Sequence, residues 1–551
     1  MLKYIANLNR HMNEDVFMKR YASDCNTILK WDFKTVLFLF SMACGVLLHI
    51  IHVILLYSTI SQAKHNGKRT FRAAVYEHAV YLPENRKVPV SRKTALTNMM
   101  KNLRVYKEQT EKAAIQGADI IVFPEDGVYG MAYSWEGITS YMEYIPDPQN
   151  ITWDACADPF RFPNTEVQHY LSCLAKNNSI YLVANIGDIQ PCDNTRDSRC
   201  PGAGHYQFNT DVVYDPLGQL VAKYHKVNLF YESQFSFSTD KSPVIFETPF
   251  GNFTVFTCFD ILFYHPAMEA IEQHEVGNVI FPTAWMDALP LLSSIQFHSA
   301  FAAGLGINFL AANINFPSYN FHGSGIYTPN GASNFYYSGA LNEGKLLISD
   351  IPVVHKPTIL FPNVTFNVTF PSPAFTADVF HDPFHFVPLL GQSGVVGVCH
   401  NSLCCKANYS LYTISDDVIA LGAFSGLHTY EGKYDIEVCA ILKCKTNNYL
   451  SCGEETMDSN TYLTYLKLEG NFSVPYVFPE VLLSNNGSLH LGRIGSWSYV
   501  AGSLESKHGF EFPVLSTAMF ARVYSSDVAF VCPCALLLQV MCISTMLLIS
   551  R

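Results

Sequence analysis

The stretch Asp119-Ile120-Ile121-Val122-Phe123-Pro124-Glu125 opens on a carboxylate, runs without a polar residue through Pro124, and closes on a second carboxylate. Its apolar residues are continuous rather than alternating, which is the pattern of a strand buried on both faces. Upstream, Ser91 can cap a helix in which Leu96, Met99, Leu103, Tyr106 and Thr110 recur at spacings of three and four, and Gly117 ends it. Before that helix, Phe71–Glu77 reads as another strand. Downstream, Asn164 caps a helix through Ala175, followed by a strand over Ile180–Ala184. Gln207–Tyr214, the turn Asp215-Pro216-Leu217-Gly218 and Gln219–His225 read as a hairpin. Phe253–Thr257 is a strand running into Cys258, and Asn278–Phe281 is another. A helix from about Pro290 to Ala303 and a strand over Ile307–Ala312 follow. Such an order predicts one α/β domain over roughly 70–352, with mixed sheets and helices packed outside them.

Residues 353–375 are rich in Pro, Val and Phe without helical period, so they read as a linker. From 376 to 526, short apolar runs, glycines and six cysteines predict a β-rich domain stapled by up to three disulfides. Both ends are apolar. Val36–Ile60 carries no formal charge, follows the polar leader 1–35 with its Lys19, Arg20, Lys30 and Lys34, and precedes the cleavage-like Ser61-Gln62-Ala63. The segment 36–63 is therefore either a cleaved signal peptide or an uncleaved anchor. The tail 527–551 follows Ser525-Ser526 and is either a GPI signal or a membrane span. Either way the body is placed outside the cytosol, at the cell surface or secreted.

Composition agrees. Of 551 residues, 49% are hydrophobic, so a large core can be buried; the net charge of −11 excludes the basic face of a nucleic-acid binder. Of sixteen cysteines, five lie in or before the apolar end segments, and the remaining eleven leave at least one unpaired. Eight sequons, at Asn150, Asn177, Asn252, Asn363, Asn367, Asn408, Asn471 and Asn486, point to a glycosylated secretory chain.

Three chemically capable residues stand at strand ends: Glu125 after Ile120–Pro124, Lys226 after Leu220–His225, and Cys258 after Phe253–Thr257. Such positions line crevices in α/β sheets. Taken singly, the carboxylate and the lysine read as caps or solvated groups, and the cysteine as an inert core residue. Together with their neighbours they resemble a known family. Phe123-Pro124-Glu125-Asp126, Tyr224-His225-Lys226 and Thr257-Cys258-Phe259-Asp260 resemble the Glu, Lys and Cys motifs of the nitrilase (carbon–nitrogen hydrolase) superfamily. Ala74-Val75-Tyr76-Glu77-His78, Phe281-Pro282-Thr283-Ala284-Trp285-Met286, Gly323-Ser324-Gly325-Ile326 and Leu421–Thr429 are similar to its vanin (pantetheinase) and biotinidase branch.

The resemblance covers about 70–525. It implies an αββα nitrilase sandwich followed by a smaller β-rich, disulfide-containing domain, with Cys258 as nucleophile, Glu125 as general base and acid, and Lys226 as the cation near the oxyanion. Amide hydrolysis asks for the same types: a thiolate, an ammonium that lowers the thiol pKa, and a carboxylate that takes the proton and returns it to the departing amine. Within that scheme Cys156 pairs with Cys173, Cys192 with Cys200, and Cys258 stays free; the pairing of the other six is open. Glu232 either orients Lys226 or is a surface acid. Trp285 and Asp287 follow a strand end and could line an acyl pocket, though Trp285 is equally a core residue. His225 and His265 raise a Cys–His alternative, disfavoured because base and cation are already supplied. No organic cofactor or metal is implied.

The substrate expected is a small amide. Pantetheine, cleaved to pantothenate and cysteamine, leads; biocytin or biotinyl peptides are the rival, and a catalytically silent surface glycoprotein is the alternative outside enzymes.

Overall fold

A computed structural model describes residues 70–524 apart from Leu341 and Ile414. The leader 1–35, the segment 36–63 and the tail 527–551 lie outside the described residues, as do the five cysteines of the ends. Among the described residues no helix is long and apolar enough to cross a membrane.

Twelve strands make two six-stranded sheets. They are β1 (Thr70–Glu77), β2 (Ile120–Val122), β3 (Tyr181–Pro191), β4 (His205–Tyr214), β5 (Leu220–His225), β6 (Val244–Thr248), β7 (Gly251–Val255), β8 (Asn278–Thr283), β9 (Asn308–Asn313), β10 (Ser324–Thr328), β11 (Gly331–Tyr336) and β12 (Lys345–Pro352). The sheet orders are β12-β1-β2-β3-β4-β5 and β11-β10-β9-β8-β7-β6. Each has a parallel centre (β1-β2-β3; β7-β8-β9) and antiparallel flanks. The two sheets share one core, with Phe71, Val75, Val122 and Val183 of the first facing Phe253, Val255 and Ile280 of the second. Helices α1 (Arg92–Ile115) and α2 (Glu166–Asn178) cover the outer face of the first sheet. Helix α3 (Ser294–Leu305) covers the second. This is the αββα sandwich.

Two helix starts differ from the expectation, for one reason. Helix α2 begins at Glu166 rather than after Asn164, whose φ is 56°. Its first N–H groups are capped by the buried Glu143 carboxylate, which accepts from Val167 N (2.8 Å) and Gln168 N (3.1 Å). Helix α3 begins at Ser294, four residues after Pro290, and Asp287 Oδ1 accepts from Ser294 N at 2.9 Å. In both cases a carboxylate upstream of the helix, 24 residues away at Glu143 and seven at Asp287, satisfies donors that an adjacent Ser, Thr, Asp or Asn usually takes. Helix α2 also runs on to Asn178, and β3 extends to Pro191 because β4 pairs along its whole length.

No helix or strand occupies residues 353–374. Beyond them, a seven-stranded and a five-stranded antiparallel sheet pack around Leu421, Cys439, Leu468, Leu504 and Met519. Cys405–Cys439 ties one sheet to the other, Cys399–Cys404 closes a hairpin, and Cys444–Cys452 closes the loop after the strand Tyr434–Lys443. Vicinal Cys404 and Cys405 thus have different partners. Cys156–Cys173 and Cys192–Cys200 are bonded in the sandwich, and Cys258 is the one free cysteine among the described residues. Five disulfides fit an extracellular protein.

Helix α3 is buried on nearly all sides, polar Gln296, His298 and Ser299 included, because the seven-stranded sheet lies over its outer face. Phe297 packs edge-on to Phe478 and Phe520, and Gln296 Nε2 donates to Ser516 Oγ at 2.9 Å. At Gly304 the approach is backbone to backbone: a Cβ there would stand 2.2 Å from Val477 O.

Candidate active site

The ends of β2, β5 and β7 converge, and each turn is held by the others. Lys226 directly follows β5. Its Nζ, on a side chain only 1% exposed, lies 2.7 Å from Glu125 Oε1 and 2.6 Å from Glu232 Oε2. Asn209 of β4 donates from Nδ2 to both carboxylates, at 2.7 Å each. Glu125 Oε2 accepts from Ala284 N (2.9 Å), and the carbonyl of that same residue accepts from Cys258 Sγ (3.7 Å). The Glu125 carboxylate and the thiol therefore sit on opposite ends of one residue's backbone, just past the end of β8.

Cys258 has φ 49°, in the left-handed region, where the chain turns sharply from β7 into a short 3₁₀ helix, Cys258–Leu262. Such a conformation costs about 1 kcal/mol or more in a residue with a Cβ and persists only where its surroundings impose it. The surroundings are polar and saturated. Asp260 Oδ2 accepts from Tyr224 OH (2.6 Å) and Thr257 N (3.2 Å), while Oδ1 accepts from Asn228 N and Nδ2 (2.8 Å each). One carboxylate thus joins the loop that carries Cys258 to the loop that carries Lys226. Behind it, Thr257 Oγ1 donates to Asp211 (2.6 Å), and Asn185 donates to both Asp211 and Asn209.

The charge balance departs from the sequence expectation. Lys226 does not lower the Cys258 pKa overall. Burial pushes the thiol up, Glu125 pushes the same way, and Lys226 only partly offsets them. Burial alone would lower the Lys226 pKa, but Glu125 and Glu232 outweigh it and hold the ammonium well above its usual range. Burial raises Glu232 despite its cation partner, and it pushes Asp211 to about 8 and Asp260 to about 6. Two carboxylates beside one ammonium leave little positive potential for the thiol, so the resting sulfur is protonated.

Residues 89–285 match the carbon–nitrogen hydrolase family, and residues 374–527 match the vanin C-terminal domain. The chain is 46% identical to a pantetheinase of Mus musculus over 477 residues, 86% of this chain and 92% of that one. The chain belongs to the pantetheinase–biotinidase family. A biotinidase of Takifugu rubripes is 40% identical over 84% of this chain and 95% of its own length. Among solved structures, an amidase from Nesterenkonia sp. is 20% identical with a TM-score of 0.35, covering 51% of this chain and 90% of that one. The protein is accordingly an enzyme of carbon–nitrogen amide hydrolysis.

In this amide hydrolase a pocket of about 190 Å³ opens beside Cys258. Trp285 lines it and also belongs to the core, stacked on Phe297 with its Nε1 donating to Leu292 O at 2.9 Å. Asp287 does not line the pocket; besides capping α3 it accepts from Tyr337 OH. Glu232 is no surface acid but the second partner of Lys226. His225 pairs with Asp188 and His265 with Glu269, so neither attends the thiol. Asn209, Asn185, Asp211 and Asp260 were not among the sequence candidates. All but Asp260 lie within strands that carry no motif of their own, and only Asp260, in the Thr257–Asp260 run, stood in a quoted motif.

Six sequon asparagines are exposed. Asn408 and Asn471 are half-buried, and Asn471 Oδ1 accepts from Cys404 N at 2.6 Å. Among the described residues no cluster of three His, Cys, Asp or Glu could hold a metal ion.

Proposed function

We propose that the protein is an extracellular pantetheine hydrolase in which Cys258 attacks the amide carbonyl, Glu125 moves the proton, and Lys226 stabilises the oxyanion. The observation that carries this reading is a free thiol lining an apolar pocket and joined through Ala284 to a carboxylate that is paired with a buried ammonium, in a chain 46% identical to pantetheinases. Because the thiol is held protonated, proton transfer to Glu125 accompanies attack rather than preceding it. Lys226 Nζ then faces the charge that develops on the carbonyl oxygen. Glu125 returns the proton to the departing cysteamine and next activates water against the thioester, releasing pantothenate. Glu232 and Asn209 hold Lys226 and Glu125 in place throughout. Attachment to the membrane through the apolar ends, and glycans at the exposed sequons, complete the proposal.

The test is cysteamine and biotin release from pantetheine and biocytin in parallel, by the enzyme and by Cys258→Ala. Cysteamine release that falls at least about 10⁴-fold in the variant is expected. Biotin release instead moves the enzyme to the biotinidase side. Neither product, with Cys258 still alkylatable, refutes both substrates. Full turnover in Cys258→Ala refutes the nucleophile.

A further inference from the structure

The pocket beside Cys258 is walled by two parts of the chain. The sandwich supplies Phe259, Leu262 and Trp285; the β-rich domain supplies Phe380, Tyr430 and Glu431. The lining is almost wholly apolar, and Glu431 is the one formally charged residue in it. Nothing in the amide chemistry above uses this carboxylate.

Glu431 is held as deliberately as the catalytic groups. His428, whose side chain is 2% exposed, donates from Nε2 to Glu431 Oε2 at 2.8 Å and from Nδ1 to Asp382 Oδ2 at 2.7 Å. With both ring nitrogens engaged by carboxylates, the ring is an imidazolium. Tyr434 OH donates to the other oxygen, Glu431 Oε1, at 2.5 Å. Both oxygens are therefore oriented before any substrate arrives, and the His428 charge keeps the carboxylate ionised in an apolar setting.

The loop that carries Glu431 rests directly on the nucleophile's neighbour. A Cβ at Gly432 would stand 3.0 Å from the Phe259 ring, so the loop packs closely on that ring and a side chain here would have to displace it by a few tenths of an ångström. On the other side, Phe380 and His381 form the two-residue turn between the strands Phe375–Val379 and Asp382–Pro388, with φ of 53° and 67°. Turns of this kind favour Asn and Gly, and bulky residues there carry strain. The strain is retained where it places the Phe380 ring in the pocket wall and the His381 ring 4.3 Å from Tyr430.

We propose that Glu431 is a specificity-determining residue: a fixed anion, contributed by the β-rich domain, that admits uncharged substrates to Cys258 and excludes those bearing a negative charge. Its free lone pairs also accept from hydroxyl or amide donors, which suits a neutral, hydroxylated acyl chain such as that of pantetheine. The inference rests on the amide-hydrolase reading for its biological meaning, but not for its test. The single His428 imidazolium is shared by two carboxylates, Glu431 and Asp382, so the cluster keeps a net negative charge, and a further anion brought near Glu431 in a site of low dielectric is repelled.

The experiment compares alkylation of Cys258 by neutral iodoacetamide and anionic iodoacetate, in the enzyme and in Glu431→Gln, with pantetheine and 4′-phosphopantetheine turnover alongside. Glutamine keeps the shape and one oxygen acceptor for His428 or Tyr434, turns the other acceptor into a donor, and removes the charge. The ratio of amide to acetate alkylation rates should fall about tenfold in Glu431→Gln. Raising salt from 0.05 to 0.5 M should lower the ratio in the parent and leave it flat in the variant. The preference for pantetheine over its phosphorylated form should fall in parallel. An alkylation ratio that changes less than twofold, in the variant and with salt, overturns the proposal. A changed ratio in an enzyme that hydrolyses no pantetheine supports the proposal and refutes the substrate reading instead.

Discussion

Replacing Lys226 with methionine keeps the aliphatic stem and deletes the ammonium that Glu125 and Glu232 share. Two charge-assisted hydrogen bonds, at 2.7 and 2.6 Å, are lost, and two buried carboxylates remain with the Asn209 amide between them. Each such bond contributes about 1.5–3 kcal/mol. Independently, removing one partner of a buried ion pair costs about 3–5 kcal/mol. Both routes lead to a loss near ~4 kcal/mol. A second substitution separates charge from packing. If the loss comes from like charges left without a cation, Lys226→Met combined with Glu232→Gln should regain about 2 kcal/mol over the single variant. A packing loss would instead add to any cost of the second change. The assay is guanidinium unfolding at pH 7 with disulfides intact, comparing midpoints at equal slope. The penalty in the single variant should also shrink as pH falls toward 5, because one carboxylate then takes a proton. Glu232, which burial already holds above the ordinary range, is the group that takes it. A loss below about 1 kcal/mol, or a double variant less stable than the single one, would refute the claim that this cation holds the cluster together. Turnover should be lost in both variants.

Two further predictions concern the β-rich domain and its contact with helix α3. Burial of His428 favours its neutral form, but Asp382 and Glu431 outweigh it and hold the imidazole up at about 9. Against an unfolded value near ~6.5, this stabilisation is complete below pH 6.5 and is lost as pH rises through 9. After allowance for solvent screening it is worth about 1–2 kcal/mol. Unfolding midpoints followed from pH 6 to 10 should show that decline in the parent and not in His428→Gln. At Gly304, alanine gains up to about 1 kcal/mol of helix propensity, but its Cβ meets the Val477 carbonyl, and overpacking costs about 1–3 kcal/mol. Gly304→Ala should therefore lower the unfolding midpoint. A raised midpoint would mean that the helix and sheet separate at no cost.

Where local pattern and tertiary need coincide, the sequence is transparent. The continuous apolar run Ile120–Pro124 could be satisfied only by burial on both faces, so it marked a central strand and placed Glu125 at its end. The hairpin leading to Lys226 and the strand leading to Cys258 were legible on the same grounds. The odd cysteine count made one thiol free, and the motif resemblance said which. The helix starts were illegible because their caps, Glu143 and Asp287, come from other segments. The state of the thiol was equally hidden. A lysine near a cysteine suggests a lowered pKa, but burial and the Glu125 carboxylate, with Glu232 adding less, outweigh it.

The sequence by itself thus determined most of the element order up to Ile307–Ala312, the β-rich partner domain and, through the family motifs, the αββα class and the three candidate side chains. These depend on periodicity, on the chemistry of residue types and on motifs short enough to survive in one chain. The strands Val244–Thr248, Ser324–Thr328, Gly331–Tyr336 and Lys345–Pro352 went unread. Only the tertiary structure decided that Asn209 bridges two carboxylates, that Asp260 joins the cysteine loop to the lysine loop, and that Glu431 faces the pocket from the other domain. Those contacts join residues tens to hundreds of positions apart, and no local preference encodes them. They arise when packed sheets bring strand ends together, where burial turns each unpaired polar atom into a cost that its neighbours must meet.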